Sequence, residues 1–153
     1  MKILPANIDH VAELAKLFDA YRVFYRKKSD LQGAIQFLYE RLKNQESKVY
    51  VALDIQTTKI VGFAQLYPIF SSTRMARLWL LNDLYVDPEF RGKGISKQLL
   101  DRAKELAVLT RAAGLSLETE KSNEIGNNLY LKTDFILEED HNFYFWLNPS
   151  FDS

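Results

Sequence analysis

Leu84-Tyr85-Val86-Asp87-Pro88-Glu89-Phe90-Arg91-Gly92-Lys93-Gly94-Ile95-Ser96-Lys97-Gln98-Leu99-Leu100 reads as the end of a strand, a tight loop and the first turns of a helix. The β-rich run stops at Asp87-Pro88, two glycines follow within three positions, and Ile95, Leu99, Ala103, Leu106 and Ala107 then recur at helical spacing. A helix start leaves its first N–H groups unpaired and carries roughly half a positive charge. Gly92 and Gly94 let backbone approach a bulky anion without a Cβ in the way, and Arg91, Lys93 and Lys97 surround the turn with cations. The loop therefore suits a phosphate. It lacks the Gly-x-x-x-x-Gly-Lys-Ser/Thr spacing of a nucleotide P-loop and the Gly-x-Gly-x-x-Gly spacing of a dinucleotide fold, so the anion belongs to another kind of ligand.

Working outward, Val11, Leu14, Ala15, Phe18, Tyr21 and Tyr25 predict an amphipathic helix over 10–25 behind an Asp9 cap. Ser29 or Asp30 caps a second helix with Leu31, Ala34, Ile35, Leu38 and Leu42 on one face. Residues 48–53 and 60–67 predict a hairpin around Gln56-Thr57-Thr58-Lys59, and 75–86 a third strand. The helix after the glycine loop is predicted to run to Ala113, where Gly114 stops it. Then come a strand at 115–119, a short helix at 124–132, and a strand pair at 135–138 and 142–147. With a first strand at the N-terminus, this order predicts an α/β fold: a single-layer mixed, mostly antiparallel sheet flanked by helices.

At 153 residues the chain suits one domain, 1–153, long enough to bury a core unaided. It has no cysteine, which excludes disulfide frameworks, thiolate metal centres and cysteine nucleophiles, and only His10 and His141 as imidazoles, so no metal is expected. Twenty basic and twenty acidic residues cancel, arguing against nucleic acid or membrane as partner. No apolar run approaches the roughly 18 residues of a spanning helix, and Met1–His10 is not laid out as a signal peptide, so a soluble cytoplasmic protein is expected.

The loop and its surroundings resemble the GNAT superfamily of acyl-CoA-dependent N-acetyltransferases, whose pyrophosphate loop reads Arg/Gln-x-x-Gly-x-Gly/Ala. Here it stands as Arg91-Gly92-Lys93-Gly94-Ile95-Ser96, with Ser96 in the last place. Asn123, Leu129-Tyr130, Lys132 and Asp134-Phe135 resemble a second signature of the family; Asp134 stands for its glycine and Gly126 for its alanine. The stretches Tyr21–Tyr25 and Asn82–Val86 look similar to the branch of histone and polyamine acetyltransferases. The element order matches the family fold over nearly the whole chain.

The resemblance implies an acetyl-CoA-dependent transfer to a primary amine by direct attack, the acceptor being polyamine-like, amino-acid-like or a protein lysine. It implies that amides from Gly92 to Lys97 bind the CoA pyrophosphate, that the backbone of Leu84, Tyr85 and Val86 pairs with the pantetheine arm, and that the Val86 N–H donates to the acetyl oxygen. Tyr130 takes the position that protonates the thiolate, and Asn123 fixes its helix or touches pantetheine. Asp83, Glu118 and Glu120 are the candidate bases, with Asp83 and Glu118 preferred. The acceptor wall implied is the first two helices, the Tyr67–Arg74 loop and the last strands. There Tyr21, Phe24, Tyr25, Tyr67, Phe70, Phe143, Tyr144 and Trp146 are candidates for a cation–π cage, with Asp83 and Glu118 beside it. Phe143–Leu147, apolar on both faces, suggests a homodimer contact. Ser96, Gly126 and Asp134 leave a second reading, a CoA-binding sensor that has lost transfer.

Overall fold

Strands rich in Val, Leu, Phe and Tyr, each bounded by polar turns, pair into one five-stranded sheet of order β1-β2-β3-β4-β5 in the computed structural model, which describes residues 1–152. The elements are β1 (Lys2–Pro5), α1 (Val11–Phe24), α2 (Leu31–Lys43), β2 (Lys48–Asp54), β3 (Lys59–Ser71), β4 (Ala76–Val86), α3 (Ile95–Leu109), β5 (Leu115–Ser116) and α4 (Glu124–Lys132). β1 to β4 are antiparallel and β5 joins β4 in parallel, which is the mixed α/β sheet expected. The chain divides into two compact units, Met1–Glu118 and the residues from Thr119 onward.

In the first unit, α1 and α2 cover one face. Leu14, Phe18 and Leu38 pack there with Val49, Val51, Phe63 and Tyr85 into an apolar core. A Leu or Phe taken wholly out of water in this way contributes about 1.5–3 kcal/mol. α3 covers the other face, and a Cβ on Gly62 of β3 would lie 3.3 Å from Ile95 Cγ2 and 3.4 Å from Leu99 Cδ1. A side chain at this position would need its neighbours to give by a few tenths of an ångström.

β4 carries one extra residue. Gln65 pairs with Asp83 but Leu66 pairs with Leu81, so Asn82 is a bulge, and it follows the only two rungs to β5, Trp79↔Leu115 and Leu80↔Ser116. A bulge bends and twists its strand. Beyond it, from Asn82 to Val86, β4 has β3 on one edge and, among the described residues, no strand on the other.

Several expectations are corrected. α3 ends at Leu109, not Ala113: Arg111 takes φ 57°, and Ala112 N–H donates back to Ala107 O, a left-handed helix end that sequence does not announce because no glycine occupies it. Gly114 is part of the extended segment beside β4, its carbonyl accepting from Trp79 N–H at 3.1 Å. The strand expected over 115–119 pairs at only two residues. α1 is preceded by a short 3₁₀ turn capped by Asn7, whose side chain accepts from Asp9 N–H, so Asp9 is not the cap. Asp30, rather than Ser29, caps α2 by accepting from Gly33 N–H at 2.9 Å. Residues 135–138 and 142–147 form no strand ladder, and Phe143, Tyr144 and Trp146 are exposed; β-rich composition records a preference, while a strand also needs a hydrogen-bonded partner.

Candidate active site

Asp87 N–H donates to Val61 O at 2.8 Å, on the β3 side of β4. Strand backbone alternates, so the N–H groups of Val86 and Leu84 point to the other edge, the one without a strand. That edge leads through a 3₁₀ turn at Pro88–Phe90 into the glycine loop. Gly92 and Gly94 have φ 78° and 77°, in the left-handed region, and a Cβ at either would meet nothing within 4 Å, so backbone is laid open there. Gly94 is the N-cap of α3 and offers no side chain to it; the first intrahelical donor is Gln98 N–H, to Gly94 O at 3.2 Å. The amides of Ile95, Ser96 and Lys97 are consequently without helical acceptors. An outward strand edge and an uncapped helix start, joined by bare backbone, fit a long ligand that ends in an anion.

Around this loop, the Ile95 side chain is buried and only its amide is on offer. Lys93 Nζ lies 4.9 Å from the Phe90 ring centre, and Lys97 pairs with Asp101 at 3.1 Å. Arg91 turns back: its Nε donates to Val86 O at 3.1 Å, and its guanidinium lies 5.3 Å from the Tyr85 ring and 5.7 Å from Phe24. It braces the end of β4 instead of standing free as a phosphate cation.

On the helical face of the same strand, Asp83 is 5 % exposed. Gln65 Nε2 donates to its Oδ2 at 2.8 Å, Asn82 Nδ2 to its Oδ1 at 3.1 Å, and Tyr21 adds a third side-chain hydrogen bond. Ser47 hydroxyl donates to Gln65 Oε1 at 2.9 Å, which fixes the amide the right way round. Burial raises the Asp83 carboxyl above the ordinary carboxylate range and the three donors hold part of that rise back. Tyr67 is raised as well, first by burial and then by the Asp83 charge, with Arg41 opposing. Asp83 closes a cleft of about 450 Å³ between α1, α2 and the sheet, walled by Phe18, Tyr21, Tyr25 and Phe37. Tyr21 makes edge contacts with Tyr25 at 5.1 Å and Tyr85 at 5.7 Å.

Of the residues singled out from sequence, Asp83, Tyr21 and Tyr25 thus come together at the cleft, while Leu84, Val86 and Gly92–Lys97 form the edge and loop. Phe70, 74 % exposed, stacks under Arg77 at 5.1 Å and does not line the cleft. Glu118 is exposed beyond the end of β5. Gln65 and Ser47 escaped sequence reading. A lone amide inside the apolar run Ile60–Leu66 was the available signal.

The second unit is ordered around α4. Asn123 caps it, Oδ1 accepting from Gly126 N–H at 3.1 Å while Nδ2 donates to Thr119 Oγ1 at 2.9 Å. At its far end Asp134 takes φ 71°, Phe135 N–H donates to Tyr130 O at 3.0 Å, and the Tyr130 and Phe135 rings meet edge-on at 5.7 Å. This left-handed helix end with its apolar clasp fixes the direction of partly buried Tyr130.

The model of the acetyltransferase (GNAT) family matches residues 12–135. This chain belongs to that family. A relative in Bacillus subtilis (strain 168), named uncharacterized N-acetyltransferase YhfO, is 44 % identical over 143 residues, covering 94 % of this chain and 93 % of its own. A "Probable acetyltransferase" of Haemophilus influenzae is 30 % identical over 77 % of this chain and 80 % of its own. The crystal structure of a probable acetyltransferase superposes with a TM-score of 0.92 at 36 % identity, covering 97 % of this chain and 98 % of that one. The GNAT match crosses from the first unit into the second, so it takes in both the glycine loop and α4. Acetyl transfer is accordingly the chemistry in which the geometry above is to be placed.

Proposed function

We propose that this acetyltransferase moves an acetyl group from acetyl-CoA to a primary amine by direct attack, with both ligands bound at once. The observation that carries the reading is the strand-free edge of β4 running into an uncapped helix start. The outward N–H groups of Leu84 and Val86 would receive the pantetheine arm, and the amides around Gly92, Lys93, Gly94, Ile95, Ser96 and Lys97 would hold the pyrophosphate. Acetyl-CoA supplies an acyl group already activated as a thioester. The Val86 N–H would stabilise charge developing on the acetyl oxygen.

Asp83 is the base we favour over Glu118, because it is buried, closes a cleft and is held by fixed donors. It would take the proton that an alkyl ammonium must lose before its nitrogen can attack. As the N–C bond forms and the C–S bond breaks, the electron pair leaves on sulfur, Tyr130 would give that thiolate its hydroxyl proton, and the second proton shed by the acylated nitrogen would pass through solvent to restore the Tyr130 hydroxyl; Asn123 would keep α4 in register. The products are an N-acetyl amide and free CoA thiol. The two compact units act together as one catalytic domain in this reading, in the cytoplasm, where Phe143–Leu147 is the candidate surface for self-association.

The departures at Ser96, Gly126 and Asp134 do not favour an inactive sensor. Asp134 adopts the left-handed conformation that the family's glycine would, and the Gly126 amide is capped. Calorimetric titration with acetyl-CoA and desulfo-CoA tests the reading, run on the parent and on Gly94→Val with circular dichroism to confirm its fold. Binding is expected for the parent and lost in the variant; a folded parent that binds neither ligand overturns the proposal. Tyr130→Phe is expected to bind CoA normally and to turn over about 10²–10⁴ times more slowly, the range for loss of a general acid. Equal turnover would remove Tyr130 from the mechanism.

A further inference from the structure

The cleft that closes on Asp83 is chemically unlike at its two ends. Its inner end is a single buried carboxylate behind the aromatic rings of Phe18, Tyr21 and Phe37. Its lining also includes Arg22 near the end of α1, and Lys27 and Asp30 from the segment that joins α1 to α2. Lys27 and Asp30 are exposed, so these charges stand at the mouth.

The mouth is held in place. Asp19 accepts from the Ser29 hydroxyl at 2.6 Å and from Asp30 N–H at 2.8 Å, and Arg22 Nη1 donates to Lys28 O at 3.1 Å. Of the three mouth charges, Asp30 is committed to the start of α2, where its Oδ1 accepts from Gly33 N–H and the partial positive charge of the helix end offsets it. Arg22 stands 3.9 Å from Asp19 and keeps a third of its side-chain surface in water (33 %). Lys27 has no ion-pair partner among the described residues. Lys27 is therefore the unpaired cation at the mouth, with Arg22, held between Asp19 and the Lys28 carbonyl, beside it, and one acid stands at the floor.

From this arrangement we propose that the acceptor is a primary amine that also carries an anionic group, a carboxylate foremost, across a hydrocarbon or flat aromatic body. The proposal rests on the reading of the cleft as the acceptor site of acetyl transfer, and it selects the amino-acid-like class over the polyamines. The ammonium enters first, to Asp83; the body lies between the rings; the anion stops at Arg22 and Lys27. A diamine would set its second ammonium against those same two cations, a like-charge approach that disfavours it. The aromatic walls serve the body of the acceptor and the ammonium alike, so they do not by themselves choose between the classes.

The experiment uses the full chain with acetyl-CoA and follows thiol release. The acceptors are 4-aminobutyrate, 6-aminohexanoate and 4-(aminomethyl)benzoate, each beside its methyl ester and the corresponding diamine. At least one carboxylate is expected to exceed its ester and diamine in kcat/KM by about tenfold, the size of one well-placed charge contact. Lys27→Glu is expected to reverse the order and put the diamine first. Esters or diamines that match or exceed every carboxylate overturn the proposal, as does an order that Lys27→Glu leaves as it was. Calorimetry with acetyl-CoA separates this from failure of the parent reading. A chain that binds acetyl-CoA but acetylates no carboxylate overturns the acceptor class alone, whereas a folded chain that does not bind it overturns both.

Discussion

Asp83 lies in the cleft with Gln65, Asn82 and Tyr21 already donating to it, so the strength of the base we propose is set first by its burial and then by these neighbours. Burial disfavours the ionised form and raises the pKa; each donor favours the ionised form and lowers it. Gln65→Leu removes a donor while filling similar space, and the pKa must rise further. Since a base acts only when ionised, the acid limb of the kcat/KM profile is expected above the ordinary carboxylate range in the parent and at still higher pH in the variant. A limb that stays put would separate Gln65 from the reaction. Asp134 offers a different lesson, because an L-residue at φ 71° is strained where glycine is not. Asp134→Gly is expected to stabilise the chain by about 0.5–1 kcal/mol, seen as a higher melting temperature with activity retained. The glycine loop was legible from spacing, whereas Asp83 and Tyr130 were singled out only through the family resemblance. The partners of Asp83 were not, because Gln65 and Ser47 are brought to it by sheet register and not by any local pattern.

Among elements, the junction of β3 with α3 positions the glycine loop. A Cβ on Gly62 would crowd Ile95 and Leu99 as well as the Tyr85 carbonyl at 3.3 Å, so a larger residue must push the first turns of α3 away from the sheet. Gly62→Val is expected to cost about 1–3 kcal/mol through overpacking and to weaken acetyl-CoA binding measurably by calorimetry. Unchanged affinity would show that the helix start tolerates displacement. Helices and antiparallel strands of this protein were readable because their apolar residues recur at 3.6 or 2 positions. Element ends were less so: Arg111 closes α3 in a conformation that its side chain does nothing to advertise, and Ala112-Ala113 continue a helical composition into an extended segment. The last two predicted strands failed for a related reason, since composition speaks for one segment at a time and a ladder needs two.

For the whole molecule, the raised Asp83 carboxyl is a site where the proposed function is set against stability. A folded-state pKa above the unfolded one means that the protonated group favours folding, fully so below the unfolded pKa, and that this contribution is lost as pH rises through the folded value. Above the unfolded-state pKa the buried carboxyl is then a growing cost, complete once pH has passed the folded-state value. Asp83→Asn is expected to melt at a higher temperature than the parent at neutral pH and to lose that advantage in strong acid, while acetyl transfer falls. The Gln65 amide can turn over to suit the new side chain, because Ser47 is able to donate or accept. A variant that melts lower at neutral pH would show that the three donors outweigh burial.

The two-rung contact between β4 and β5 leaves a strand that is bonded on one side only from Asn82 to Val86. Its amides should therefore differ in their hydrogen–deuterium exchange one by one. Tyr85 and Asp83, whose N–H groups face β3, would keep their hydrogen for long times, while Leu84 and Val86 would take up deuterium quickly. In the presence of acetyl-CoA the alternation should disappear, so that this short stretch of backbone becomes an isotopic gauge of whether the site is filled.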